Sequence, residues 1–169
     1  EIMDVSNRLF YGGRLRCGVS ENDRTPPEGA PVVFVPVDHE VEGRSNTVEA
    51  QVVSDLVHTL MRDSGVSPKS VGVVSPFRAQ VVLLRQMLGN TGVSIDTVER
   101  FQGGERDIMI LSFVRSRGAG FVFDERRLNV AMTRARRKLI LVAHPELFRN
   151  SRYAWISTFT ETLKTAGTI

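Results

Sequence analysis

Apolar residues along this chain fall into two alternating kinds of run. Short stretches rich in Val and Ile occupy Pro31–Val37, Val71–Ser75, Val93–Thr97, Asp107–Val114 and Lys138–His144, with the length and residue types of strands. Between them, apolar positions recur every three or four residues. Over Thr47–Asp63 these are Val48, Val52, Leu56, Leu60 and Met61, behind a Ser-Asn-Thr start and ahead of Gly65 as a stop. Over Phe77–Leu88 they are Val81, Leu84 and Leu88. Both segments predict amphipathic helices packed on a sheet. Ile108–Val114 and Leu139–Ala143 are apolar almost throughout, as strands covered on both faces are. The alternation predicts an α/β fold, with a mainly parallel sheet of about five strands covered by helices.

Residues 1–30 break that rhythm. Tyr11-Gly12-Gly13 and Glu21–Ala30, with two prolines, read as turns and loop, so 1–30 is expected to form an arm or interdomain linker and 31–169 the domain proper. Phe10 and Tyr11 in the arm are expected to pack on the body, with ligand stacking as the alternative. Tyr153–Leu163, carrying Trp155, Ile156, Phe159 and Leu163, predicts a closing helix.

A length of 169 residues with 41% hydrophobic and 24% charged side chains suits one globular domain. The longest apolar runs fall far short of the roughly 18 residues of a membrane span, and no charged-then-apolar leader opens the chain. Membrane and secreted settings are therefore not expected. Cys17 is the sole cysteine and can form neither an internal disulfide nor a multi-cysteine metal site, which fits an intracellular protein, cytoplasmic or, in a eukaryote, nuclear. Opening on Glu1 rather than Met leads us to expect a segment of something longer.

The formal charge of +3 hides an asymmetry. Residues 1–50 hold nine acidic and five basic side chains, whereas Arg115–Lys138 hold eight basic and two acidic, seven of the eight being Arg. Arginine suits planar, bidentate contact with phosphate or carboxylate better than lysine does. A solvated face is the other reading of such a block.

Motif chemistry narrows the choice. None of the three lysines follows the glycines of a G-x-x-x-x-G-K-[ST] phosphate loop, and G-x-G-x-x-G is absent as well. His39, His58 and His144 lack metal-ligand spacing. Three blocks remain. Val71-Gly-Val-Val-Ser-Pro-Phe-Arg-Ala-Gln80 puts Arg78 and Gln80 in the first turn of a helix, where amide groups and a guanidinium can face an anion. Val93–Asp107 runs from a strand through a polar turn to Gln102-Gly103-Gly104-Glu105, in which Glu105 could accept from a ribose and Thr97 and Arg100 could touch a nucleic-acid backbone; a capped turn is the plain alternative. Arg126–Arg137 places Leu128, Ala131 and Met132 inward at helical spacing and Arg127, Arg134 and Arg137 outward. Residues just after Val74, Thr97 and Val114 are expected to converge on one edge of the sheet.

Together the three blocks resemble the second RecA-like domain of superfamily 1 helicases, in the group with Upf-type and senataxin-type enzymes. Thr97–Asp107 looks like motif V, Arg126–Arg136 like motif VI and Val71–Gln80 like motif IV. The resemblance implies a RecA-like three-layer fold and an ATP-dependent helicase of DNA or RNA. Arg134 then matches the arginine finger, acting with Arg78 as a catalytic group across the interdomain cleft. Gln80, Gly103, Gly104, Glu105 and Arg134 would bind ATP, and Thr97, Glu99 and Arg100 would lie along a single strand. Glu49, in Ser45-Asn-Thr-Val-Glu-Ala50, matches a recurring acid to which no role attaches. The implied partners are single-stranded nucleic acid and a first RecA-like domain that carries the P-loop and most of the Mg²⁺ ligands and is absent from this chain. Alone, the chain is not expected to hydrolyse ATP. A degenerate RecA-like module that binds nucleic acid or a protein without catalysis is the alternative.

Overall fold

The computed structural model describes residues 30–39, 43–101, 104–115 and 125–149, and the single positions Ile2, Asn7, Arg14 and Glu161. Phe10, Tyr11, Cys17, Gln102, Gly103 and nearly all of the expected Tyr153–Leu163 helix lie outside the described residues.

Among the described residues, five strands form one sheet: β1 (Val32–Pro36), β2 (Val71–Ser75), β3 (Ser94–Thr97), β4 (Arg106–Ser112) and β5 (Ala135–Ala143). All neighbours pair in parallel, in the order β1-β5-β4-β2-β3. The helices are α1 (Thr47–Asp63), α2 (Arg78–Leu88), α3 (Glu125–Thr133) and the short α4 (Glu146–Arg149).

Strand pleating sorts the core into two layers. Ile108, Ile110, Ile140 and Val142 face α1 and α2, where Ala50, Val53, Val57, Leu84 and Leu88 meet them. Met109, Leu111, Leu139 and Leu141 face the other side, under Leu128, Ala131 and Met132 of α3. Helices on both faces of a parallel sheet explain why the central strands read as continuous apolar runs. The α/β expectation holds, with three layers.

The structure refines several boundaries. The buried side of α1 is Ala50, Val53 and Val57, while Val48 is exposed and Val52, Leu56, Leu60 and Met61 pack at the rim. Asn46 is the cap of α1, its Oδ1 accepting from the Glu49 N–H at 3.0 Å. The basic block is not one helix. Its helical part ends at Thr133, and Arg136 and Arg137 already belong to β5, whose pairing with β4 slips between Arg106 and Ile108. Arg106 stands opposite Ala135 but Ile108 opposite Lys138, so β5 carries one extra residue there, a bulge.

Candidate functional site

Connections leaving β2 and β4, which lie side by side, head in opposite directions across the sheet, to β3 and to β5. A crevice opens beyond the carboxyl ends of strands at such a point. Here it is a cavity of about 690 Å³ lined by Pro76, Phe77 and Arg78 after β2, by Thr97 and Arg100 at and after β3, and by Arg115 after β4. Arg44 and Arg127 complete the wall, so five arginines surround it with Glu99 as the acid among its lining residues. Glu99 is half-exposed and pairs with Arg127 at 3.1 Å. Phe77 precedes the first turn of α2 without a side-chain cap, so the amides of Arg78 and Ala79 are presented to the same space. The Arg115 guanidinium lies 5.1 Å from the centre of the Phe77 ring, and its Nε donates to the Gly43 carbonyl at 3.1 Å. Clustered guanidinia and open amides form a groove suited to a polyanion.

Behind the groove lies a buried polar network. Gln80 has no exposed surface. Its Oε1 accepts from the Asn46 amide at 2.8 Å, and its Nε2 donates to the Asn46 carbonyl and the Ser112 hydroxyl. Glu49, also buried, accepts from the Ser112 hydroxyl and from the Val114 amide at 2.9 and 3.1 Å. Asn46 Nδ2 donates to the Val114 carbonyl. Burial pushes the Glu49 carboxyl from 4.5 up to about 7, against the lowering effect of its hydrogen bonds from Ser112 and the backbone. Val114 sits at φ +74°, a rare conformation for a β-branched residue, in a three-residue turn closed by the Arg115 N–H on the Phe113 carbonyl at 2.9 Å.

A second recess, of about 270 Å³, is lined by Arg134, Arg126, Arg127, Val130, Glu99 and Phe101. Arg134 Nε is buried, and among the described residues it has no hydrogen-bond partner. The Arg106 amide donates to the Arg134 carbonyl at 2.9 Å, which ties the start of β4 to the start of β5. Glu105 beside it is exposed and paired with Arg136 at 2.8 Å. A Cβ added at Gly104 would meet the tip of the Arg106 side chain, which is free to swing away, so glycine here leaves room for that guanidinium without being demanded by the turn.

The structure brings Arg78 together with Thr97, Glu99 and Arg100, as the convergence of strand ends predicts, but not with Arg134, which lines the other recess. Glu99 and Arg127 line both. Gln80, expected to reach a nucleotide, is instead enclosed, because its carboxamide is spent joining α1, α2 and β4. Arg44 and Arg115 were not singled out for the groove from sequence. Arg115 could have been, as the first charge after the apolar run of β4, whereas Arg44 carries no sequence signal.

The chain matches the AAA domain family over residues 1–146. It is 34% identical over 171 residues to the DNA replication ATP-dependent helicase/nuclease JHS1 of Arabidopsis thaliana, covering 83% of this chain and 13% of that protein. Against the 5'-3' DNA helicase ZGRF1 of Mus musculus it is 36% identical over 166 residues, covering 89% and 9%. The uncharacterized ATP-dependent helicase MJ0104 of Methanocaldococcus jannaschii is 32% identical over 176 residues, covering 90% and 26%. The chain thus spans about a quarter or less of these relatives. Among solved structures, the C-terminal domain of a possible DNA helicase from Lactobacillus plantarum WCFS1 shares the fold, with a TM-score of 0.50 at 17% identity, covering 89% of this chain and 91% of that one.

Proposed function

This chain belongs to the AAA domain family, and from that premise we propose that it is the C-terminal motor domain of a superfamily 1 helicase, one half of an ATP-driven translocase on single-stranded nucleic acid. The observation that carries this reading is the convergence of Arg44, Arg78, Arg100, Arg115 and Arg127 on one cavity at the carboxyl ends of β2, β3 and β4. Such a surface neutralises consecutive phosphates without regard to base. The grouping of Arg78 with Thr97 and Arg100 supports reading it as a contact to the strand rather than to the nucleotide.

The nucleotide side is the Arg134 recess. A buried guanidinium Nε with no partner among the described residues fits an anionic group arriving from outside. Glu105 at the rim suits a sugar hydroxyl, and Gly104 lets the backbone come close. ATP bound between this domain and a first RecA-like domain is the substrate whose hydrolysis supplies the free energy. Mg²⁺ and the phosphate loop belong to that first domain. Arg134 would stabilise charge developing on the transferred phosphoryl group, so the two domains close more tightly before hydrolysis than after it. The Glu99–Arg127 pair forms the wall shared by the two recesses, so closure on one side is felt on the other.

Turnover of ATP by the full-length protein, stimulated by a single-stranded oligonucleotide, tests the assignment. Arg134→Ala should lower turnover by about 10³-fold and leave nucleotide affinity nearly unchanged. Equal turnover in the two proteins would move the arginines to a binding role without catalysis.

A further inference from the structure

We propose that Glu49 is a positioning residue that sets Arg115 in the arginine groove by holding the Val114 turn. This rests on the reading of the groove as a track for single-strand phosphates, and it deepens that reading.

Three observations carry the proposal. The chain leaves β4 through a turn that a valine does not favour, with φ +74° at its centre. A positive φ is unfavourable for a β-branched residue, so something in the surroundings must hold it. Glu49 takes the Val114 N–H with both carboxyl oxygens, and Asn46 Nδ2 donates to its carbonyl from the same end of α1. Beyond the turn, Arg115 is delivered over Phe77 and bonded to Gly43, with its charge on the groove. A regular strand continued through Val114 would send the next side chain elsewhere. Glu49 itself is 1% exposed and lines neither recess, so its effect passes through the turn. The same carboxyl orients Ser112, which accepts from Gln80 at the head of α2, where Arg78 begins. Two walls of the groove therefore depend on one acid.

The test is a double-mutant cycle read by the salt dependence of binding. Affinity of the chain for a fluorescent dT oligonucleotide is measured from 50 to 300 mM NaCl for wild type, Glu49→Leu, Arg115→Ala and the double variant. Leucine fills the buried site but accepts no hydrogen bond from the Val114 amide. Losing one phosphate contact lowers the slope of log K against log salt by about 0.7 for a single strand. Arg115→Ala should show that decrease, Glu49→Leu should show the same one, and the double variant should show it only once. A wild-type slope for Glu49→Leu overturns the positioning role, as does a decrease that persists in the Arg115→Ala background. A wild-type slope for Arg115→Ala overturns the groove reading itself. Should Glu49→Leu not fold, Glu49→Met takes its place in the cycle, and an unchanged slope there would also overturn the proposal.

Discussion

Glu49 shows how a single side chain can be costly and useful at once. Its carboxyl ordinarily titrates near 4.5 and is pushed up to about 7, because burial penalises the charged form more than the donors from Ser112 and Val114 favour it. Below pH 4.5 both folded and unfolded chains hold the proton, and above pH 7 both have lost it. In between, only the folded chain keeps it. Stability from the protonated acid is therefore full at low pH and is lost as pH rises through that window, by about 3 kcal/mol in all. Urea titrations of wild type and Glu49→Gln between pH 5 and 7.5 should diverge as pH rises, and parallel curves would show that the carboxyl does not titrate there. The sequence made Glu49 visible, as an acid in the first turn of a helix, but not its partners. Ser112 and Val114 lie 63 and 65 residues away, and pairing across such a span is a property of the fold. Gln80 misled for the same reason: a polar residue in a helix's first turn looks solvent-facing until the neighbouring helix closes over it.

At the level of elements, periodicity located α1 and α2 almost to the residue, and apolar runs located every strand. What it misjudged was the junction of α3 and β5. Arg134 to Arg137 carry charge at a spacing that a helix or a partly covered strand tolerates equally, and only pairing with β4 settles the matter. Contact between elements is similarly silent in sequence. Gly72 of β2 faces the α3 side, where an added Cβ would lie 2.6 Å from the Met109 sulfur and from the Phe101 ring. Phe101 is thus seated on a glycine, with the Arg106 guanidinium 5.5 Å from its centre, and it holds the segment that follows Thr97 against the sheet. Gly72→Ala should cost about 1–3 kcal/mol in denaturant unfolding by overpacking this seat. It should also weaken nucleotide binding by the full-length protein, since Phe101 lines the Arg134 recess. Unchanged stability would mean that Phe101 has room to move aside.

For the whole molecule, a formal charge of +3 understates the field at the sheet edge, because the acidic excess lies in the first fifty residues and the arginines gather from five separate segments. Five neutralised phosphates correspond to a slope of about −3.5 in log K against log salt, so affinity for a single strand should fall about 100-fold between 50 and 200 mM. A slope near zero would rule out the backbone as the ligand. The helicase resemblance was legible because its motifs are short and local, whereas the division into two recesses was not, since it follows from the strand order. The bulge in β5 gives that order a further consequence. Side chains alternate with a period of two, and the extra residue between Ala135 and Lys138 sets the phase of what precedes it, keeping Ala135 in the layer of Leu139 and Leu141. Shortening the chain there by one position would leave Leu139, Leu141 and Ala143 in register with β4 but turn Ala135, and Arg134 with it, about the strand. The length of the stretch joining Arg134 to the core strand therefore decides which side of the sheet that arginine faces.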